Sequence, residues 1–581
     1  MFDTVIRGGT IVDGTGTAPY SGDVAITDGR IVEVGTIDGS ARTEIDADGA
    51  VVTPGFVDLH THYDGQVTWD DALEPSATNG ITTIVLGNCG VGFAPVRSTD
   101  HDSLIDMMEG VEDIPGSALS VGMPWGEWET FGEYLDVLDS RRYAANVAAH
   151  IAHGPVRYYV MGERAYHDQD ATPDEVAEMA RIVGDAFAAG AAGFSSNRFR
   201  AHMSRSGKVV PGTFAAVDEL RAIAGAVGEA GHGVLQAIAD GTISPDAQDR
   251  MPDLDMLAEL ADIAKRPLTF STFQASTQAD VYRRVLDGAA TWNDKGVQLR
   301  PQIIPRAVTF MSSLDTYHPF MNRPTYKSLA ALPLAERVVR LRQPEVRKQI
   351  LGEQDVYDGG GLGALMGGVL ASAVARLFSL EFPVDYEPDP SESVTGRATA
   401  LGVDPLTYLY DQMTAGDGST FFALLGNNFG EGTLEPCREM LLDPNSVSGL
   451  SDAGAHVMMI SDCSASTFHL THWVRDRTKG ERVPLELAVH KLTGAPAAMY
   501  GFDDRGTVAP GRRADLNVID FDNLTIQAPY LRADLPTGAS RILQPSVGYL
   551  ATMVNGEVVR RDDTDTGARP GRLLRSGQGN V

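Results

Sequence analysis

The chain has 581 residues, 43% of them hydrophobic and 22% charged, with a formal net charge of −31 at pH 7. That length exceeds one ordinary core and asks for two or more domains. The acidic balance argues against nucleic acid or an anionic membrane surface as partner, while leaving a small anionic substrate open. Three cysteines, Cys89, Cys437 and Cys463, are too scattered for a disulfide framework. The N-terminus shows no basic stretch followed by an apolar one, and no apolar run reaches the roughly 18 residues of a spanning helix. The expectation is a cytoplasmic protein, with homo-oligomerisation left open.

Residues 1–53 read as short strands joined by turns. "TVIRGGTIVDG", "GDVAITDGRIVEVG" and "TEIDADGAVVTPG" each combine apolar alternation with Gly or Asp-Gly turn signals. "PGFVDLHTHYDG" (54–65) follows. On a strand, side chains two apart share a face, so His60 and His62 point one way beside Asp58, opposite Val57, Leu59 and Thr61. The pair closes an apolar strand just before a loop, which points to metal ligation, with packing as the alternative.

Strand and helix signals then alternate. Strand-like "TTIVLGN" (82–88) and "NVAAHIAHG" (146–154) come first. "TPDEVAEMARIVGDAFAAGA" predicts a helix capped by Thr172, with Pro173 at its first position and Asp174 and Glu175 in its first turn. Strands "AAGFSSN" (191–197), "VLQAIAD" (234–240), "PLTFSTFQ" (267–274) and "VQLRPQIIP" (297–305) follow with helices between them. So many βα units favour a barrel over residues 54–502. The run from about 310 to 445 breaks the rhythm and reads as an insertion over the barrel mouth, a lid or else a structural excursion or oligomer contact. Its "DGGGLGALMGG" misses the dinucleotide-binding spacing, because Met366 stands where a glycine is needed. A last strand, "SGLSDAGAH" (448–456), and helix "PLELAVHKLTGAPAAMYG" lead into residues 503–581, where "ADLNVIDFD" and the Asn-Gly hairpin "VNGEVV" return to sheet grammar. The fold class is therefore α/β: a (β/α)8 TIM-like barrel with a small β-sandwich built from both chain ends.

"VDLHTHYD" resembles the strand-1 motif of the amidohydrolase superfamily. "GITTIVLGNCGVGFAPV", "MEGVEDIPG", "AHGPVRYYVMG", "LSDAGAH" and "LAVHKLTGAPAAMYGFDDRGTVAPGRRADLNVIDFD" narrow the resemblance to its N-acyl-D-amino-acid deacylase (D-aminoacylase) branch, over most of the chain. The resemblance implies His60 and His62 as metal ligands from strand 1 and Cys89 as a ligand from strand 2, a thiolate suited to Zn²⁺. It implies Asp452 as the strand-8 aspartate, serving as metal ligand and as general base and acid. It also exposes a departure. D-aminoacylases complete their tight metal site with a histidine from each of strands 5 and 6, where this chain has Gln236 and Ser271 or Thr272; His232 lies at the wrong end of strand 5. What survives is His60, His62 and Asp452, with or without Cys89, around one zinc ion more readily than two. His153 and His456 are candidates for substrate contact, and His150 faces away from His153. Arg198, Arg306 and Arg157 near strand ends are candidate partners for a substrate carboxylate, with surface roles as the alternative.

The activity implied is metal-assisted hydrolysis of an N-acyl amino acid, D-configured in the resembling branch, or of a related N-acyl amine. A cyclic or bulky amide stays open as substrate. So does a catalytically silent scaffold, for which the missing histidines argue and the retained His60, His62, Cys89 and Asp452 argue against.

Overall fold

The two ends of the chain meet in one sheet. In a computed structural model, which describes residues 1–167, 169–243, 251–275, 278–357 and 362–578, strand Leu516–Ile519 runs antiparallel to Val51–Pro54, with Val518 opposite Val52. Strand Phe2–Ile11 lies on the other side of Val51–Pro54, and the completed sheet has nine strands. Its inner face alternates with polar residues, as half-buried strands do, and packs Ile6, Ile11, Val24, Ile26, Ile31, Val52, Leu516, Val518 and Met553 together. The "VNGEVV" turn forms as a hairpin, with Asn555 at φ 48° and Gly556 at φ 84°, a left-handed pair that Asn-Gly tolerates.

Between these ends lies a parallel barrel. Its strands are β1 (Phe56–Asp58, continued by His60–Thr61), β2 (Ile81–Leu86), β3 (Asn146–Ala152), β4 (Gly193–Arg198), β5 (Val234–Ala239), β6 (Leu268–Ser271), β7 (Leu299–Ile303) and β8 (Val447–Ser448, continued by Leu450–Ala453). They pair in sequence order in one eight-stranded sheet. Leu450 pairs with His60 and brings β8 back to β1, closing the ring. Helices cover the outside, among them α1 (His101–Glu112), α2 (His153–Met161), α3 (Pro173–Ala189), α4 (Val217–Ala230) and α5 (Leu485–Leu492). Helix α3 starts where its sequence signals place it. The Thr172 hydroxyl accepts from Glu175 N–H and the Glu175 carboxylate returns the bond, while Gly190 ends the helix at φ 108°. Its Met179, Val183, Ala186 and Phe187 face the barrel. No helix among the described residues is long and apolar enough to cross a membrane.

Two strand readings need correction. The stretch 146–154 stays extended only to Ala152, and His153 opens α2. The stretch 448–456 is strand at Ser448 and over Leu450–Ala453, interrupted at Gly449 (φ 123°), and turns after Ala453, with Gly454 at φ 94° and His456 at 50°; Asp452, inside the strand, sits at 51°. Part of "DGGGLGALMGG", residues 358–361, lies outside the described residues.

The segment between β7 and β8 has its own small core around Phe320, Tyr326, Leu341, Leu377, Leu409 and Tyr410. It also has a three-stranded sheet of Thr309–Ser312, Phe422–Leu425 and Leu377–Ser379. Met311 N–H donates to Met459 O at 2.7 Å, which lays this sheet against the turn after β8. A buried ion pair roots it further on. Glu387 Oε2 accepts from Arg477 Nε at 3.1 Å and lies 3.0 Å from His472 Nε2, while Oε1 accepts from Leu434 N–H at 2.8 Å. Burial pushes the Glu387 carboxyl up, but His472, Arg477 and the Leu434 N–H outweigh it and hold the group below the usual carboxylate range.

Removing one partner of such a pair strands a buried charge. Glu387→Gln is therefore expected to cost about 3–5 kcal/mol, read as a lower urea midpoint. Because the folded state lowers this pKa, its stabilisation is complete above the unfolded carboxyl value and is lost as pH falls below it. The gap between wild type and variant should thus narrow on acidification.

Candidate metal centre

The cluster sits where β1, β2 and β8 end. His60 and His62 project from β1, whose Leu59 N–H donates to Gly449 O at 2.9 Å and whose His62 N–H donates to Ala453 O at 2.8 Å. Only glycine lets the β8 turn pass this close, since a Cβ on Gly454 would lie 2.8 Å from the His62 carbonyl. Asp58, below the pair, accepts from the Ser451 hydroxyl and tightens the same seam. Cys89 follows β2 at φ 54° and donates its N–H to Gln236 Oε1 at 3.1 Å. Cys89, Asp452 and His456 all occupy left-handed backbone, where non-glycine residues rarely sit. Strain of this sort gathers where side chains must be aimed.

One ligand atom from each of His60, His62 and Cys89 lies within 4.8 Å of the others, and all three residues are buried. His60 Nε2 is 3.2 Å from Cys89 Sγ and 3.3 Å from Asp452 Oδ1. His62 Nε2 is 3.7 Å from that same oxygen. Ligands bound to tetrahedral zinc at about 2.0–2.3 Å lie roughly 3.3–3.8 Å apart; the two separations to Asp452 fall in that range and the His60–Cys89 contact lies just below it. His60 Nδ1 is held by Gln302 Oε1 at 2.9 Å, which turns Nε2 toward the shared point.

The electrostatics favour a cation. Burial, reinforced by Glu112, Asp452 and Asp64, pushes the Cys89 thiol up. Burial also raises Glu112, Asp64 to about 7, and Asp452 to about 6, the last against His456. Burial lowers His60 to about 4, against its Gln302 bond, and takes His62 well down. Both ring nitrogens of His62 and Glu112 Oε1 are buried without a hydrogen-bond partner. Neutral imidazoles, a thiol and crowded carboxyls form a donor set that a divalent cation would satisfy.

The other candidates land elsewhere or in other roles. His456 stands beside the cluster, its Nε2 3.6 Å from Glu112 Oε2. His153 is buried between Ser196 Oγ at 3.0 Å and Glu219 Oε1 at 2.8 Å, and Arg157 shares that glutamate, so both are taken up by packing. His150 turns the other way and meets the Tyr500 hydroxyl at 2.9 Å. Arg306 is a correction: its guanidinium is fully buried against Asp462, Ser461 O and Ser464, over the Tyr386 ring. Arg198, half-buried, donates from Nη1 to Ala215 O at 2.6 Å. Arg306 is not free for a substrate carboxylate. The positions of the two absent histidines hold Gln236, engaged with Cys89, and Ser271, whose hydroxyl is buried without a partner. Glu112, Gln302 and His202 were not singled out in the sequence; all are near the cluster. A buried acid at the end of an apolar helix, in "MEGVED", was the signal for the first.

Imidazoles, a thiol and a carboxylate converging on the carboxyl rim of a parallel barrel are the layout of a metal-assisted hydrolase. The amidohydrolase family model matches residues 43–560, and the chain belongs to that family. It is 26% identical to the D-aminoacylase of Alcaligenes xylosoxydans xylosoxydans, over 99% of this chain and 97% of that one. It is also 26% identical to the N-acyl-D-glutamate deacylase of the same organism, over 99% and 96%. An uncharacterized protein of Mycobacterium tuberculosis is 28% identical over 99% and 96%. Among solved structures, a D-aminoacylase superposes with a TM-score of 0.65 at 22% identity, covering 99% of this chain and 100% of that one. A zinc- and phosphonate-bound N-acyl-D-glutamate deacylase from Bordetella bronchiseptica superposes at 0.63 and 22%, covering 99% of both. These likenesses establish the barrel with its second β domain as the fold.

Proposed function

We propose that the chain is a metal-dependent hydrolase that releases an amino acid, D-configured by preference, or a similar amine from an N-acyl compound. The observation that carries this is the buried convergence of His60, His62 and Cys89, with the Asp452 carboxylate 3.3 and 3.7 Å from the two imidazoles. These four residues would hold one zinc ion. When bound, zinc acidifies a water from about 15.7 towards about 7 and polarises a carbonyl.

The protein's own groups do the rest. Asp452, the most exposed of the four at 23%, can reach both the attacking water and the scissile nitrogen. It takes the proton from the first and hands it to the second, so that the amine leaves neutral. His60 and His62, kept neutral by burial, hold their ligand nitrogens free of protons. The N-acyl substrate class is supported by relatives named D-aminoacylase and N-acyl-D-glutamate deacylase that share almost the whole length.

The test is hydrolysis of N-acetyl and longer N-acyl D- and L-amino acids, with products separated by chiral chromatography. Release of the D-amino acid from an N-acyl-D substrate supports the reading. Cleavage confined to cyclic amides, or none of any amide by zinc-loaded protein, overturns it.

A further inference from the structure

The two strand-1 histidines each turn Nδ1 towards an oxygen, one within hydrogen-bond distance and one beyond it. His60 faces the shared point with Nε2 and gives Nδ1 to Gln302 Oε1 at 2.9 Å. His62 faces Asp452 with Nε2, and its Nδ1 looks at Glu112 Oε1 from 3.5 Å. Glu112 is 2% exposed, and its second oxygen lies 3.6 Å from His456 Nε2. One carboxylate therefore stands between an imidazole of the cluster and an imidazole of the β8 turn.

The glutamate is firmly placed. It is the last residue of α1, and its backbone carbonyl accepts from His456 N–H. The next residue, Asp113, is fixed at φ 51° by the Tyr317 hydroxyl at 2.7 Å and by Met458 N–H at 3.3 Å. The helix end is thus clamped between the inserted segment and the β8 turn. The contacts of 3.5 and 3.6 Å are longer than hydrogen bonds. An imidazole bound to a cation through Nε2 becomes a stronger donor at Nδ1, which draws such a contact in.

We infer that Glu112 is a positioning residue: it keeps the proton of His62 on Nδ1, so that Nε2 is offered to the metal, and through its other oxygen it ties His456 to the same centre. This rests on the metal-centre reading above. It assigns to Glu112 the task that Gln302 has for His60, with a carboxyl group in place of an amide.

The test compares zinc affinity of wild type, Glu112→Gln and, as control, Glu109→Gln, each stripped of metal and titrated against a chromophoric chelator. Glu109 lies on the same helix but pairs outward with Arg205. The inference expects zinc to bind about 10–100-fold more weakly in Glu112→Gln, with Glu109→Gln unchanged and the metal-free proteins melting together. Equal affinity in Glu112→Gln and wild type overturns it. Wild type that binds no zinc brings down the metal reading instead. Should Glu112→Gln fail to fold, histidine-labelled, metal-free wild type decides by nitrogen NMR, with the His62 signals identified by their loss in His62→Gln. A proton on His62 Nδ1 supports the inference, and one on Nε2 overturns it.

Discussion

Asparagine in place of Asp452 is expected to lower kcat for amide hydrolysis by about 10²–10⁴-fold, the range that a lost general base commands. The substitution is nearly isosteric, and asparagine tolerates the left-handed backbone at φ 51° better than almost any other residue. The turn that follows β8 should therefore survive, and with it the fold. What goes is the capacity to accept a proton from water and return it to nitrogen. His60, His62 and Cys89 remain, so zinc should still bind, though less tightly for want of one anionic ligand. Rate and zinc content measured on the same preparation separate the two losses. A variant that carries zinc and is inactive has lost its base. A variant as active as wild type would remove Asp452 from the mechanism.

Cys89→Ser is expected to weaken zinc binding by at least about 100-fold, since losing a ligand should exceed the 10–100-fold cost of losing an outer partner. Serine keeps the size and the N–H bonded to Gln236, so packing hardly changes. Its hydroxyl, however, does not ionise in this range. Burial and neighbouring acids already push the Cys89 thiol up, and a bound cation would oppose that push by favouring the thiolate. If Cys89 is merely a buried apolar residue, Cys89→Ser will hold zinc as wild type does. Chelator competition on metal-stripped protein distinguishes the outcomes.

Much of the architecture was legible from local pattern. Thr172-Pro173-Asp174-Glu175 announces α3 because a capping side chain, a fixed φ and early acids all favour the same start. The Asn555-Gly556 hairpin is legible for a comparable reason: two adjacent residues that accept positive φ. His60 and His62 stood out because a two-residue period on a strand places them on one face. The rest depends on contacts that no local pattern carries. Gln302, 242 residues away from His60, becomes its partner only once β7 and β1 share a barrel. Glu112 reaches His62 and His456 because α1 ends beneath the β8 turn. Arg306 goes the other way for the converse reason: a basic residue near a strand end looks available for an anion until the fold supplies Asp462 as its buried partner. In the segment 448–456 the expected strand ends at Ala453, because positive φ at four residues bends the chain around the centre.

The histidines missing from β5 and β6 set this chain apart from the pattern its sequence resembles. Gln236 holds the Cys89 N–H, and so supports the cluster through the residue beside it.

If His60, His62, Cys89 and Asp452 hold a metal on which hydrolysis depends, metal content and activity must fall and return together. Elemental analysis of the purified protein before and after chelation, with amide hydrolysis assayed on the same samples, should show one zinc per chain, lost together with activity and regained with it. A metal-free preparation that hydrolyses the amide at full rate would exclude a catalytic metal at these residues.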